Sequence, residues 1–573
     1  MNLLRYSIGL ADRARGELTV ELTLPPRGEW ELALPRWTPG SYVFRDFARH
    51  LMDLECEGAS LTRPDPHRVR VLAENPDSEL TLRYRIYARE LTVRTAFASH
   101  DWVFWNGACV YLWPTDRPEM EAEVSVALDE SSAAFEFVSG HGPMAREGDR
   151  YALRFEDHDD AVDTPILGGG RVALEFTLDS KPVRFVEAGD ADMVRWDDMS
   201  EAIEAILGEA TAVFGGGLPI DAYHFLSLFA ESGRGGLEHL DSSTLLAPRT
   251  LQGSRRERRD FLGLIAHEFF HLWNVKRMRP SELWQFDYYD ENPTRLLWVA
   301  EGFTAYFDDL CCVRAGAFDS EHYLERLAEH CNNPWADTPL GDASLEAWTK
   351  LYKGGENLRN NSVNYYVDGA LAGLVLDVTI RLESGDQRSL EDLMRELYRT
   401  TFEEGRGYTI DDVVGVAGAV GGPKSAEMAR RLDHEPVRPL VEGALQSLGV
   451  KMTVRRRTSR LGVRVSANST EIASVVRGGP AWNSGLRAGD EVLAIDGLRV
   501  RSGTWRTILD QRLVRGLDLN LLIAREGRVL DQVVHAAPED EARPDWKLTL
   551  DPDAKKAEIA RRQDWLAARR SRQ

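Results

Sequence analysis

The stretch that most limits how this chain can fold is Asp260 to Pro280, DFLGLIAHEFFHLWNVKRMRP. Its apolar residues lie on nearly all sides of a 3.6-residue period, the pattern of a helix buried in a core. His267, Glu268 and His271 interrupt that pattern. Residues four apart share a helix face, so the two imidazoles can reach one metal ion while Glu268 faces a water on it. H-E-x-x-H is the pattern of a zinc hydrolase whose Glu is the general base. Two core histidines can also simply be hydrogen-bonded, so a third ligand on another element is what separates the two readings.

Downstream, an irregular loop, SELWQFDYYDEN, leads to Asn292-Pro293. Asn suits an N-cap and Pro the first helical position. A helix is therefore predicted from Pro293 to near Gly316, with Glu301 at its middle among Leu297, Trp298, Val299 and Phe303. A buried carboxylate needs a partner, and a metal held by two histidines supplies one. Glu291 is nearer to His271 in sequence and competes. It lies in a polar loop, where a Glu needs no special partner, so Glu301 is preferred.

With 573 residues, 43% hydrophobic and 28% charged, the chain has the composition of a soluble protein of three or four domains. A net charge of −22 argues against nucleic acid or anionic membrane as a partner. The N-terminus, MNLLRYSIGLADRARGEL, lacks a signal peptide's apolar core, and no run approaches the roughly 18 apolar residues of a membrane span. Five scattered cysteines fit neither a disulfide framework nor a cysteine zinc site, and suggest a reducing, cytoplasmic setting.

The pattern along the chain predicts a multidomain α+β protein. Residues 1–180 alternate as strands punctuated by Pro, Gly and Asp, which reads as a β-sandwich. Within it, WTPGSYVFRDFARH (Trp37 to His50, with Arg45 and Asp46) and DWVFWNGACVYLWP (Asp101 to Pro114) read as turn and packing segments, able to wall a cleft. Residues 181–455 form a mainly helical domain that also holds two buried strands, YHFLSLFA and SSTLLA. Gly235-Gly236-Leu237-Glu238-His239 lies between those strands, where a glycine pair permits close backbone approach and an exposed edge can pair with an extended peptide. Glu238 would put a carboxylate at one end of such a peptide, although on the residues alone a solvated loop Glu is the preferred reading. Tyr365 and Tyr366 open an apolar helix, usually a packing role. Residues 456–540 alternate strands, Gly-Asp and Asp-Gly turns and a short helix, as a small separate domain would. Residues 541–573 read as a basic, solvated helical tail.

HEFFHLWNVKRMRP followed by LWVAEGFTAYF resembles the glycyl aminopeptidase family of zinc metallopeptidases, whose members commonly carry a C-terminal PDZ domain. PGSYVFRDFARH is similar to that family's N-terminal motif, and GGPAWNSGLRAGDEVLAIDG to a PDZ core. The resemblance implies a thermolysin-like catalytic domain of the gluzincin clan. Trp298-Val299-Ala300-Glu301-Gly302 is similar to the context of that clan's third zinc ligand, which implies one Zn²⁺ per chain on His267, His271 and Glu301. Gly235-Gly236-Leu237-Glu238-His239 echoes the motif whose Glu binds a substrate's free amino group. Tyr366-Val367-Asp368-Gly369 looks like the site of the clan's transition-state tyrosine, with Asp where Lys is usual, so Tyr366 is favoured and Tyr365 is the reserve.

The function these readings imply is removal of N-terminal residues, small ones such as Gly or Ala by resemblance, from peptides with a free N-terminus. Glu268 and Tyr366 would be catalytic, and Gly235, Gly236 and Glu238 would bind substrate. Leu461-Gly462-Val463 would be the carboxylate loop of a PDZ site for a C-terminal peptide. A zinc endopeptidase guided by its PDZ domain, and a non-catalytic PDZ adaptor, are the alternatives.

Overall fold

A computed structural model describes residues 3–332, 336–457, 461–513, 518–537 and 544–569. The N-terminal region is β structure. Along Glu17–Leu24 every second residue is buried, as a half-buried strand requires. That strand belongs to a seven-stranded sheet whose inward residues, with those of a four-stranded sheet, fill one core. A further five-stranded sheet of short strands carries Val103–Trp105 and Ile166–Gly168.

Another five-stranded sheet runs in the order Arg171–Leu178, Lys181–Gly189, Tyr223–Ala230, Ser242–Pro248, Gly235–Glu238. It opens ahead of the expected division at residue 180. The cause is a two-residue hairpin turn at Asp179-Ser180, both at positive φ (48° and 66°), which folds Arg171–Leu178 back onto its successor. Tyr223–Ala230 is parallel to both of its neighbours and almost wholly buried, as strands covered on both faces are. Gly235–Glu238 pairs only with Ser242–Pro248 and so forms the edge.

Helices pack on this sheet. The histidine helix, Arg255–Phe270, starts at Ser254, whose side chain accepts from the Glu257 N–H, and is capped at its end by His271. It stops short of Pro280. Beyond it Asn274, fully buried, donates to the carbonyls of Val299 and Ala300 and ties the turn to the next helical segment. The helix expected from Pro293 is also shorter and is broken: Leu297–Ala300, then Gly302–Arg314, with Glu301 at the joint. Asn292 does not cap it. Its side chain accepts from the Asp287 N–H and donates to the Asp287 carbonyl, pinning the preceding loop. The joint lies where Gly302 meets Gly369 near the start of the helix Val367–Glu383; a Cβ on Gly302 would come 2.5 Å from the Gly369 Cα. This pair of glycines lets the two backbones touch. A short helix, Leu340–Leu345, follows in the same region.

The C-terminal residues are not a solvated tail. Pro544–Leu550 pairs antiparallel with Val450–Arg457, and the small domain lies between these two strands in sequence. Helix Lys556–Trp565 then docks on the helical core, with Trp565 0% exposed. The Trp565 indole donates to the Tyr306 hydroxyl (2.8 Å) and its carbonyl accepts from Arg314 (3.0 Å). Asp564 pairs with the buried Arg381 at 2.7 Å. The basic residues of this helix are used inward, Arg561 on Asp386 and Arg562 on the carbonyls of Leu448 and Gly449. Residues 541–543 and 570–573 of the expected tail lie outside the described residues.

The small domain holds a two-stranded sheet, Val463–Val465 with Ile472–Val475, and a four-stranded sheet around a core that includes Leu461, Ile472, Val492 and Leu521. Asn360 of the helical region grips its edge, donating to the Val475 carbonyl (2.8 Å) and accepting from the Arg477 N–H (2.9 Å). Among the described residues, no helix is long and apolar enough to cross a membrane.

Candidate active site

His267 and His271 follow one another on one face of the histidine helix, and their Nε2 atoms lie 3.1 Å apart. Glu301, 2% exposed, brings its Oε2 to 3.5 Å from His267 Nε2 and 3.2 Å from His271 Nε2. Each imidazole is held from behind. His267 Nδ1 donates to Asp308 (2.9 Å), and His271 Nδ1 donates to the Asn274 carbonyl. With both Nδ1 atoms acting as donors, both Nε2 atoms present lone pairs. Two imidazole lone pairs and a carboxylate oxygen thus converge without a proton donor among them. Such a set fits a cation and little else, and its N, N, O composition suits zinc. Glu291 stands apart from this cluster, near Lys353 at 3.9 Å.

These residues line one cavity of roughly 260 Å³, together with Gly236, Glu238, Glu268 and Tyr366. Glu268, 5% exposed, follows His267 and faces the edge strand; a Cβ at Gly236 would come 2.0 Å from Glu268 Oε1. Only glycine at that position lets strand and carboxylate lie so close. Gly235 has no such constraint. Burial pushes the Glu268 carboxyl up to about 7, against the pull of the His267 imidazole. Its Oε2 has no hydrogen-bond partner among the described residues.

Glu238 is 4% exposed, and its Oε1 likewise lacks a partner. Gly40, at φ +80°, backs onto it: a Cβ there would fall 2.5 Å from Glu238 Oε2. Pro39 and His239, the neighbours of Gly40 and Glu238, line a different cavity, so Gly40 and Glu238 wall off this end of the first one. The turn WTPGSY of the N-terminal region therefore closes the site.

Tyr366, at the start of the helix Val367–Glu383, has its ring centroid 6.2 Å from that of His267. Its hydroxyl lies 2.8 Å from that of Tyr352, which accepts from Tyr365 (3.1 Å). Tyr366 lines the cavity, whereas Tyr365 is 0% exposed and does not. Asp368, which stands where the resembling motif has Lys, is buried against Arg438 at 2.8 Å. In the small domain, Gly462 has φ +73°, the Leu461 carbonyl accepts from the Ala481 N–H, and Val463 opens a strand.

Sequence reading missed Asp308, Tyr352, Gly40 and Arg94 as members or supports of this site. For Asp308 a signal existed, since it lies two helical turns after Glu301 and so on the same face. The other three come from loops without a period.

Family models match two stretches of the catalytic and N-terminal regions: M61 glycyl aminopeptidase at residues 260–372 and the peptidase M61 N-terminal domain at residues 5–170. A PDZ domain model matches residues 471–525. A search of curated proteins found no match. Among solved structures, the chain is similar to an aminopeptidase N family protein from Idiomarina loihiensis. The identity is 24% and the TM-score 0.89, over 98% of this chain and 100% of that one. That likeness is one of fold. An M1 zinc metallopeptidase from Deinococcus radiodurans matches more distantly, at 15% identity and a TM-score of 0.47 over 77% of this chain and 95% of that one. With two models matching the β domain and the histidine-to-tyrosine segment, and a third the small domain, this chain carries M61 glycyl aminopeptidase domains at residues 5–170 and 260–372 and a PDZ domain at residues 471–525.

Proposed function

We propose that the protein is an aminopeptidase that removes small N-terminal residues, Gly or Ala, from peptides, with one zinc ion per chain. The observation that carries this reading is Glu238, a buried carboxylate without a hydrogen bond on one oxygen, at the closed end of the cavity that holds the His-His-Glu cluster. An uncompensated buried carboxylate is costly, and a substrate α-ammonium is the cation that would neutralise it. Gly40 packs directly against Glu238 at that end, which favours an exopeptidase over an endopeptidase. A cavity of roughly 260 Å³ is below the usual range of about 300–1,000 Å³ for ligand sites and favours a small first side chain.

His267, His271 and Glu301 are the proposed metal ligands, oriented by Asp308 and Asn274. Zinc, when bound, supplies Lewis acidity, bringing the pKa of water from about 15.7 to about 7 and polarising a carbonyl. Glu268 Oε2, buried and unpartnered, takes a proton from the attacking water and returns it to the leaving amine. The Tyr366 hydroxyl, steadied by Tyr352, donates to the developing oxyanion, a contribution of about 3–4 kcal/mol for one donor. Gly235 and Gly236 offer an edge along which the peptide extends. In the PDZ domain, the Leu461-Gly462-Val463 turn is the proposed carboxylate loop for a C-terminal peptide, which adds a strand at Val463–Val465.

The test is a panel of amino-acid anilides and dipeptides, each with a free or an acetylated amine, with metal analysis of the same protein. Glu238→Ala is expected to lower kcat/KM on free-amine substrates by about 10- to 150-fold, the value of a hydrogen bond to a charged group, and to leave acetylated ones unchanged. Equal loss on both would refute the anchoring role. Glu301→Ala is expected to drop zinc from one per chain to near none after dialysis. Retention of full zinc by that variant would assign the third ligand elsewhere.

A further inference from the structure

The mechanism leaves two arginines of the N-terminal domain unexplained. Arg94 lines the catalytic cavity and donates to the carbonyl of Gly236 (3.2 Å) on the edge strand. Its Nε is buried and has no hydrogen-bond partner among the described residues. Arg45 lies in the turn-and-aromatic segment singled out in the sequence, and its guanidinium reaches only the Ser41 hydroxyl (3.0 and 2.8 Å). Among the described residues neither guanidinium has a carboxylate partner, although this chain carries 92 acidic residues against 70 basic ones. The two are near one another and near Tyr352, whose hydroxyl meets that of Tyr366. Burial, with Arg94 beside it, lowers the Arg45 guanidinium to about 10. Arg94 Nε is thus a buried donor without a partner among the described residues, on the cavity that Glu238 also lines.

Glu238 and Arg94 are set apart along the edge strand. A strand rises about 3.3 Å per residue, so Gly236 and Gly235 lie about 7 and 10 Å from Glu238 along it. Those are also about the spans from ammonium to carboxylate of an extended dipeptide and tripeptide. The site thus has a cation receptor at one end and an anion receptor two to three residues away.

We propose that Arg94, backed by Arg45, binds the free C-terminal carboxylate of the substrate, so that the enzyme acts on dipeptides and tripeptides rather than on long chains. The inference rests on the aminopeptidase reading of this cavity. It adds a length ruler to it: the ammonium on Glu238, the scissile carbonyl by the His-His-Glu cluster, the carboxylate on Arg94. In a longer peptide that position holds a neutral amide, and Arg94 stays unpaired.

The test compares Ala-Ala with Ala-Ala-amide and Ala-Asp-amide on the zinc-loaded wild type and on Arg94→Met and Arg94→Lys. Expected for the wild type is a kcat/KM at least about 10-fold higher for Ala-Ala than for Ala-Ala-amide, carried by KM. In Arg94→Met the two should converge through loss on Ala-Ala alone, with Arg94→Lys recovering part of the preference. Equal efficiency on acid and amide in the wild type overturns the proposal and leaves the aminopeptidase reading standing. So does a preference for Ala-Asp-amide over Ala-Ala, which would make the receptor one for an acidic side chain. If Arg94→Met does not fold, the wild-type ratios decide. If no peptide is cleaved, the aminopeptidase reading has failed. Calorimetric binding of Ala-Ala against Ala-Ala-amide then decides the receptor, with tighter binding of the acid supporting it and equal binding overturning it.

Discussion

Glu268→Gln is expected to lower kcat by about 10³-fold, within the range of about 10²- to 10⁴-fold for a general acid–base, while zinc content stays that of the wild type. The substitution keeps the shape that fits against Gly236, where the carboxylate already fills the space of a Cβ. It leaves His267, His271 and Glu301 and their supports untouched. What it removes is the unpartnered carboxylate oxygen on the residue next to His267, Glu238 Oε1 being another among the described residues of the cavity. A factor of about 10³ corresponds to about 4 kcal/mol of barrier. Stability should not fall with activity, because Glu268 is 5% exposed and its burial disfavours the charged form. A neutral amide there costs the fold less. The check is kcat, zinc per chain and thermal midpoint on one preparation. Activity above a tenth of wild type would sink the assignment of the base. Loss of zinc along with activity would shift Glu268 to a structural part in the metal site.

The candidate site was legible where its geometry is local. His267, Glu268 and His271 sit within one helical turn, so spacing alone puts them together. Glu301 could be picked out because a carboxylate amid Leu297, Trp298 and Phe303 must have a partner. Its backbone could not be read so well, because the break at Glu301 depends on Gly302 meeting Gly369, a contact between distant helices. Strands of the N-terminal domain followed from alternation, yet the end of that domain did not. Asp179-Ser180 makes its turn with two non-glycine residues at positive φ, which no turn signature flags. Gly40 and Arg94 were out of reach for a related reason. Each reaches the cavity from a loop of another domain, and only the packing of that domain against the edge strand reveals what either residue faces.

The C-terminal helix was misread because composition was taken for exposure, and the consequence is the second large effect. Trp565→Ala is expected to cost about 3–5 kcal/mol, as buried Trp truncations do. Truncation after Leu550 should cost more. It would also remove Asp564 from Arg381, which keeps Asp377, and the Trp565 carbonyl from Arg314, which keeps Glu391, and hydrogen bonds to charged groups contribute about 1.5–3 kcal/mol each. The helix matters beyond its own burial. Through Trp565 it bonds Tyr306, which in turn bonds Asp377 (2.6 Å) and so links the helix Gly302–Arg314 to the helix Val367–Glu383. The first helix follows directly on Glu301, and the second begins at Tyr366. A clamp on these two helices holds the proposed third metal ligand against the proposed oxyanion donor. Trp565→Ala should therefore lower the urea midpoint and also speed zinc loss to a chelator, whereas Trp565→Phe, which keeps most of the volume, should lose less of both. A variant that is destabilised yet releases zinc at the wild-type rate would separate the clamp from the metal site. An unchanged midpoint would mean that the helix is dispensable in solution, contrary to its burial here.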